Sequence, residues 1–130
     1  MNRMSVVLIL AAAMFVTACS DTNPLAPFEP EIVNNADAFQ FQITGADNVT
    51  VSRSYTWHNT MTRGSIDHST SVTGGSASVI VLDADGTEVY RSVLKASGTE
   101  QSSVGTAGDW TVQVVFSRFD GTANFRVEKL

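Results

Sequence analysis

Residues 108–128, GDWTVQVVFSRFDGTANFRVE, carry the pattern that decides the fold class. Apolar side chains occupy every second position before residue 118 and again after residue 121, with polar side chains between them. Alternation with a period of two is typical of a strand with one buried and one solvated face. Residues 118–121 supply turn formers between the two runs. The stretch therefore predicts a β-hairpin whose buried side chains are Trp110, Val112, Val114 and Phe116, then Ala123, Phe125 and Val127.

The same alternation recurs upstream of this hairpin. Phe39, Phe41 and Ile43 alternate with glutamines, and after turn residues at 45–48 a second run covers residues 49–57. Residues 66–72 alternate more weakly and predict a strand near the edge of a sheet. Residues 79–82 are continuously apolar, which predicts a central strand covered on both faces.

A turn rich in aspartate, residues 83–86, separates that central strand from another strand at residues 87–94. Gly86 can take the left-handed conformation that closes a hairpin with a bulge. Paired aspartates also suggest a calcium loop, but such a loop needs ligands at further fixed positions and a closing glutamate. Thr87 and Glu88 do not fit that spacing. We therefore expect a structural turn and no metal site.

These segments predict an all-β domain over residues 38–130, with about eight antiparallel strands arranged as a two-sheet β-sandwich of jelly-roll or immunoglobulin-like type. A small closed barrel is the alternative, because both architectures bury alternate side chains. No helical period follows the first 18 residues.

The run Gly108-Asp109-Trp110-Thr111-Val112-Gln113-Val114, followed by Gly121 and Phe125-Arg126-Val127, resembles the closing strands of small bacterial jelly-roll domains. The pre-peptidase C-terminal domains of secreted enzymes are the type it is most similar to. The resemblance covers the chain from Ser76 onward. It implies a β-sandwich and a location outside the cytoplasm.

The N-terminus has the organisation of an export signal. Arg3 provides a positive charge, and residues 6–16 are small or apolar. This run is about half of the roughly 20 apolar residues that a membrane-spanning helix needs. Residues 1–18 are therefore predicted to be a cleaved signal peptide.

Val16, Thr17 and Ala18 precede Cys19, the only cysteine of the chain. This pattern resembles the lipobox of bacterial lipoproteins, which implies acylation of Cys19 with diacylglycerol and palmitate-type chains, and membrane anchoring. The alternative is ordinary cleavage after Ala18, with Cys19 as an incidental thiol. Ser20, where inner-membrane lipoproteins of this family commonly carry aspartate, favours the outer membrane of a Gram-negative cell envelope.

Residues 19–37 contain Pro24, Pro27 and Pro30 and show neither a helical nor a strand period. They predict a flexible tether, and extended chain of about 3.1 Å per residue would hold the domain tens of ångströms from the lipid. Loss of residues 1–18 from the 130 leaves 112 residues and moves the net charge from −5 to −6. An acidic chain is a poor partner for nucleic acid.

The search for catalytic groups yields only two histidines, His58 and His68. A nucleophile triad would need one of them beside an activated serine, and the sequence has no Gly-x-Ser-x-Gly elbow. Two histidines also lack the further ligands of a zinc site. We expect no enzyme and no cofactor, and we expect His68 to be a partly exposed edge residue.

Aromatic residues offer a possible ligand platform. Tyr55, Trp57 and His58 are adjacent and could stack against a sugar ring. Tyr55 and Trp57 share the parity of Val49 and Val51, however, which favours the core for both. Trp110 is predicted to be buried on the same grounds.

Two functions of different classes remain for a membrane-anchored envelope protein. One is a binding or interaction module that recognises a protein or a carbohydrate. The other is a structural or accessory component of an envelope complex. An exposed aromatic platform would favour sugar, whereas a long unpaired apolar edge would favour strand addition by a protein partner.

Overall fold

A computed structural model of the chain describes residues 23–130. The predicted signal peptide, the lipobox with Cys19 and the first four residues of the predicted tether lie outside these residues. Over residues 23–130, no helix is long and apolar enough to cross a bilayer.

The described chain forms seven antiparallel strands and one turn of 3-10 helix. The prediction of an all-β antiparallel domain is therefore confirmed. The turn is Ala26–Phe28, and the strands are β1 Glu31–Asn35, β2 Ala38–Asn59, β3 Gly64–His68, β4 Ser71–Leu82, β5 Glu88–Val93, β6 Thr99–Gln101 and β7 Gly108–Lys129.

Two strands of 22 residues each, β2 and β7, pair along almost their whole length. Trp57 lies opposite Trp110 at one end and Phe39 opposite Val127 at the other. The predicted hairpin over residues 108–128 was therefore wrong, and so was the predicted turn at 45–48. Both turn segments are bulges within continuous strands, since β2 has an extra residue twice between residues 43 and 49, and β7 has one between residues 116 and 119, and pairing resumes beyond them.

The bulges lie at the same level on three neighbouring strands. β2 shifts register between residues 43 and 51, β7 shifts opposite it, and β4 shifts between residues 72 and 76. Residues with positive φ at these shifts are Gly45, Asn48, Gly75, Arg118 and Gly121. Aligned bulges bend all three strands together, because each bulge adds a local kink.

The bend brings the two halves of each long strand face to face. Phe39 and Tyr55, both on β2, have ring centroids 5.4 Å apart. Phe41 of β2 lies 5.9 Å from Phe116 and 5.7 Å from Phe125, which sit on either side of the bend in β7. A single aromatic core therefore fills the space between the halves.

The predicted central strand is confirmed as part of β4, which lies between β5 and β7 with Val79, Ile80 and Val81 buried. The predicted structural turn after it is also found. The Asp83 carboxylate accepts hydrogen bonds from the backbone N–H groups of Asp85, Thr87 and Thr106 at 2.9–3.0 Å. Gly86 has a φ of +81°, as the closing position requires.

The segment predicted as a tether is folded from residue 23 onward. Leu25 is only 2% exposed, and Phe28 packs against the core. Residues 31–35 form β1, which pairs with residues 38–42 of β2 through a tight turn in which Asp37 has a φ of +68°. The chain from residue 23 thus packs against the domain, and the domain begins well before residue 38.

Candidate functional site

Trp57 does not belong to an exposed platform. Its side chain is 0% exposed and packs edge-on against Trp110, with ring centroids 5.8 Å apart and an interplanar angle of 89°. The alternative of core packing, which the parity of the strand favoured, is confirmed for Trp57 and for Trp110. Trp110 donates from Nε1 to the carbonyl oxygen of Thr106 at 2.7 Å, whereas Trp57 Nε1 has no partner within residues 23–130.

Tyr55 and His58 lie apart from each other. Tyr55 is half-buried, and its ring lies 5.4 Å from Phe39 and 6.0 Å from Phe41. Burial raises the pKa of its hydroxyl. His58 follows Trp57 in the sequence, but its exposed side chain lies on the opposite face of β2. There its Nδ1 lies 2.9 Å from Asp109 Oδ1. Tyr55 and Trp57 point to the buried face of β2 and His58 points to the opposite face, so the three residues form no common surface.

His68 is buried, contrary to the prediction of a partly exposed edge residue. It is 3% exposed, and its ring packs against that of Tyr90 on β5, with ring centroids 6.3 Å apart. β6 pairs with the outer side of β3, so β3 is not an edge strand. Its Nδ1 accepts from the backbone N–H of Lys95 at 3.2 Å, so Nε2 carries the proton and donates to the Tyr90 hydroxyl at 2.8 Å. Burial lowers the pKa of His68, and the nearby Glu100 carboxylate opposes this only in part.

Shallow grooves on the surface of residues 23–130 include two that are well defined. The first holds about 210 Å³ and lies beside β1, where it is lined by Val33, Ala38, Phe39, Gln40, Arg126 and Glu128. The second holds about 400 Å³ and is rich in hydroxyl groups from Ser69, Thr70, Ser71 and Thr122. Thr70 is already engaged there, because its hydroxyl donates to the carbonyl of Asn124 and accepts from the N–H of the same residue.

β1 is the most exposed strand of the described chain. All five of its residues are exposed, including Ile32 at 38% and Val33 at 49%. It pairs with β2 on one side, and no strand of residues 23–130 pairs with its other side. Unpaired backbone groups at such an edge can hydrogen-bond to an extended segment of another chain.

Sequence reasoning missed this edge because proline spacing dominated the interpretation of residues 19–37. Local signals for a hairpin are present in the sequence. Ile32 and Val33 are adjacent apolar residues, turn formers follow at residues 34–37, and clear alternation begins at Phe39. No three His, Cys, Asp or Glu side chains within residues 23–130 lie close enough together to hold a metal ion.

Comparisons with known proteins add little. No protein-family model matches the chain, and no curated protein matches it. Among solved structures, the chain is similar to one described as the infectious bursal disease virus Gt strain, with 14% sequence identity and a TM-score of 0.32. The match covers 95% of this chain and 34% of the viral chain, so this chain spans about a third of the structure that it matches.

Proposed function

We propose that this protein is an envelope lipoprotein, anchored to a membrane through acylated Cys19, whose small β-sandwich domain binds another protein. The anchor is supported by the order of the N-terminal signals. The signals have the order and spacing of a lipobox: an apolar run comes first, Val16-Thr17-Ala18 follows, and the only cysteine of the chain comes next. Two or more acyl chains would hold the protein durably, since each buried methylene contributes about 0.8 kcal/mol.

The two-sheet arrangement is supported by the bend in the long strands. One group consists of β1, the first half of β2, the second half of β7, β3 and β6. The other consists of the second half of β2, the first half of β7, β4 and β5. Strands that pass from one sheet to the other at bulges are a feature of orthogonally packed sandwiches.

The exposed edge of β1 is the observation that carries the interaction function. An extended segment of a partner could pair with this edge, and Ile32 and Val33 would supply apolar contacts beside it. The neighbouring groove contains Arg126 and Glu128, which form an ion pair with each other at 3.4 Å and would have to exchange it for charges on the partner.

The distribution of aromatic side chains favours a protein over a carbohydrate as the partner. Sugar rings stack on exposed aromatic faces. Here Trp57, Trp110, Phe39 and Phe41 are all buried, and Tyr55 is held between two phenylalanines.

Replacing Cys19 with Ala tests the anchor. We expect Cys19→Ala to move the protein from the membrane fraction to the soluble fraction, because the acylated sulfur is lost, and Ser20→Ala serves as the matched control that stays with the membrane. Intact mass spectrometry of the extracted wild-type protein should show a chain that begins at Cys19 with added acyl mass. Continued membrane association of the Cys19→Ala variant would contradict the anchor.

A photo-crosslinking residue tests the interaction edge. Placed at Val33 in the lipidated protein, in its own envelope, it should give a discrete adduct, whereas the same residue at the exposed Thr73 should not. Ile32→Lys should abolish the adduct without changing the unfolding temperature, because a charge at an edge opposes strand addition. Adducts of equal yield at both positions, or a Val33 adduct unaffected by Ile32→Lys, would refute the proposed edge.

A further inference from the structure

The N-terminal segment is fixed to the domain as soon as the described chain begins. Asn23 Oδ1 accepts hydrogen bonds from Arg53 Nη2 at 3.0 Å and from the backbone N–H of Leu25 at 3.1 Å. Leu25 is buried in the core, and Phe28 packs against it. The chain from Asn23 to β1 therefore follows the surface of the domain beside β2 and does not extend away from it.

This packing sets a limit on the distance between the domain and the anchor. Only residues 20–22 separate Cys19 from Asn23. Four residue steps span at most about 14 Å when fully extended. An extended tether over residues 20–37 would instead reach roughly 56 Å. The packed segment thus removes most of the reach that the proline-containing sequence suggests.

We propose that the side of β2 beside Asn23 and Arg53 faces the lipid surface, and that the domain is held against the membrane in a restricted orientation. This inference rests on the proposed anchor at Cys19. The occupant of this side is the bilayer to which the acyl chains attach, because the point of attachment cannot move more than about 14 Å from Asn23.

Charge indicates that the short connection, and not adsorption, keeps the domain there. The chain without residues 1–18 has a net charge of −6, and Glu29 and Glu31 follow the packed segment closely. Anionic headgroups would repel such a surface, since attraction to them depends on clustered lysine and arginine. The restricted orientation should therefore persist on vesicles made of zwitterionic phosphatidylcholine.

The restricted position also limits the partner of β1. A compact chain of 108 residues has a radius of gyration of roughly 13 Å, so the far side of the domain lies within roughly 50 Å of the bilayer. β1 follows the packed segment directly in the sequence. Another protein at the surface of the same membrane can therefore reach β1.

Site-specific quenching tests the orientation on the full lipidated protein. A fluorophore is attached at Ser54→Cys, which follows Arg53 on β2 and whose side chain points to the opposite face of that strand, or at Val93→Cys on β5. Acylation of Cys19 leaves the introduced thiol as the only one free. Both side chains are exposed, and β7 and β4 lie between their strands. In phosphatidylcholine vesicles with a nitroxide on the lipid headgroup, we expect quenching at Ser54 to exceed that at Val93 about twofold or more, because three strand spacings, roughly 14 Å, separate them. Ser52→Cys provides a second position on β2, on the same face as Ser54.

A linker insertion provides the control. A Gly/Ser segment of about twelve residues between Thr22 and Asn23 should let the domain range over roughly 20 Å and should equalise quenching at the two positions. Equal quenching at Ser54 and Val93 in the acylated protein without the insertion would overturn the orientation and leave the anchor intact. Unmodified Cys19 in the intact mass would overturn the anchor and, with it, this inference.

Discussion

Gly75 and Gly45 have the same φ of +63° but very different surroundings. A Cβ atom built at Gly45 meets nothing within 4 Å, whereas one built at Gly75 overlaps the backbone carbonyls of Ser117 and Arg118 on β7. Gly45 is thus required for its conformation alone, and Gly75 is required for its conformation and for the close approach of β4 to β7. Glycine can thus be required at a bulge for its backbone conformation or for lack of space for a side chain, and the two positions differ in the second reason.

We expect Gly45→Ala to destabilise the domain by about 1–2 kcal/mol, the cost of a left-handed conformation with a Cβ. Gly75→Ala should cost at least about 2 kcal/mol more, because relief of the overlap requires β4 and β7 to move apart. Urea unfolding of both variants measures the difference. Equal midpoints would contradict the close approach at Gly75.

His68 should make stability depend on pH. Burial holds its folded pKa below the usual 6.5, so the unfolded chain binds the proton first. Its stabilising contribution is complete above pH 6.5 and is lost as the pH falls through the lower folded pKa. The groups around it are Tyr90, Lys95, Glu100 and Asp67, and the pKa of Glu100 is lowered from 4.5, chiefly by its hydrogen bond with Lys95.

Urea unfolding at pH 7.5 and pH 5.5 measures this effect, since the contribution of Glu100 is lost only below pH 4.5. We expect the wild-type protein to lose stability between the two pH values, and His68→Gln to show a smaller loss because the titrating group is absent. The same loss in both proteins would show that another group is responsible.

At the scale of elements, the segment before β1 tests whether the domain begins at residue 23 or at residue 38. Leu25→Ala should destabilise the domain by about 2–5 kcal/mol, because it removes a fully buried side chain. Ile32→Ala, at an exposed position of β1, is the matched control and should cost about 0.5 kcal/mol or less. An unfolding temperature that does not change in the Leu25→Ala variant would restore the interpretation of this segment as a tether.

At the scale of the whole molecule, β2 and β7 join the two halves of the domain. Each strand passes through the bend, and side chains from both sides of the bend meet around Phe41. Neither half can separate without breaking both long strands. The proposed membrane orientation and the proposed β1 edge depend on this rigidity, because a flexible core would not hold the N-terminal segment and β1 in a fixed relation.

The sequence by itself determined the all-β class, the burial of Trp57 and Trp110, the central position of residues 79–82 and the turn at Asp83. These features depend on local alternation and local hydrogen bonding, which neighbouring residues specify. The candidate site was less predictable. The parity of the strand placed Trp57 in the core. Local signals for the β1 hairpin were present at residues 32–37, but the burial of His68 depends on Tyr90 and Lys95, which are distant in the sequence.

Only the tertiary structure decided whether residues 45–48 and 118–121 are turns or bulges. Gly45, Asn48 and Gly121 permit either, since positive φ is common to both. The outcome depends on the partner strand, and here the extra residues of β2 between 43 and 49 are partly offset by one in β7 between 116 and 119, so pairing continues through the bend. The packing of the proline-containing segment on the domain is also a feature of the tertiary structure alone. It depends on a buried site for Leu25 in the core, which no pattern in residues 19–37 reveals.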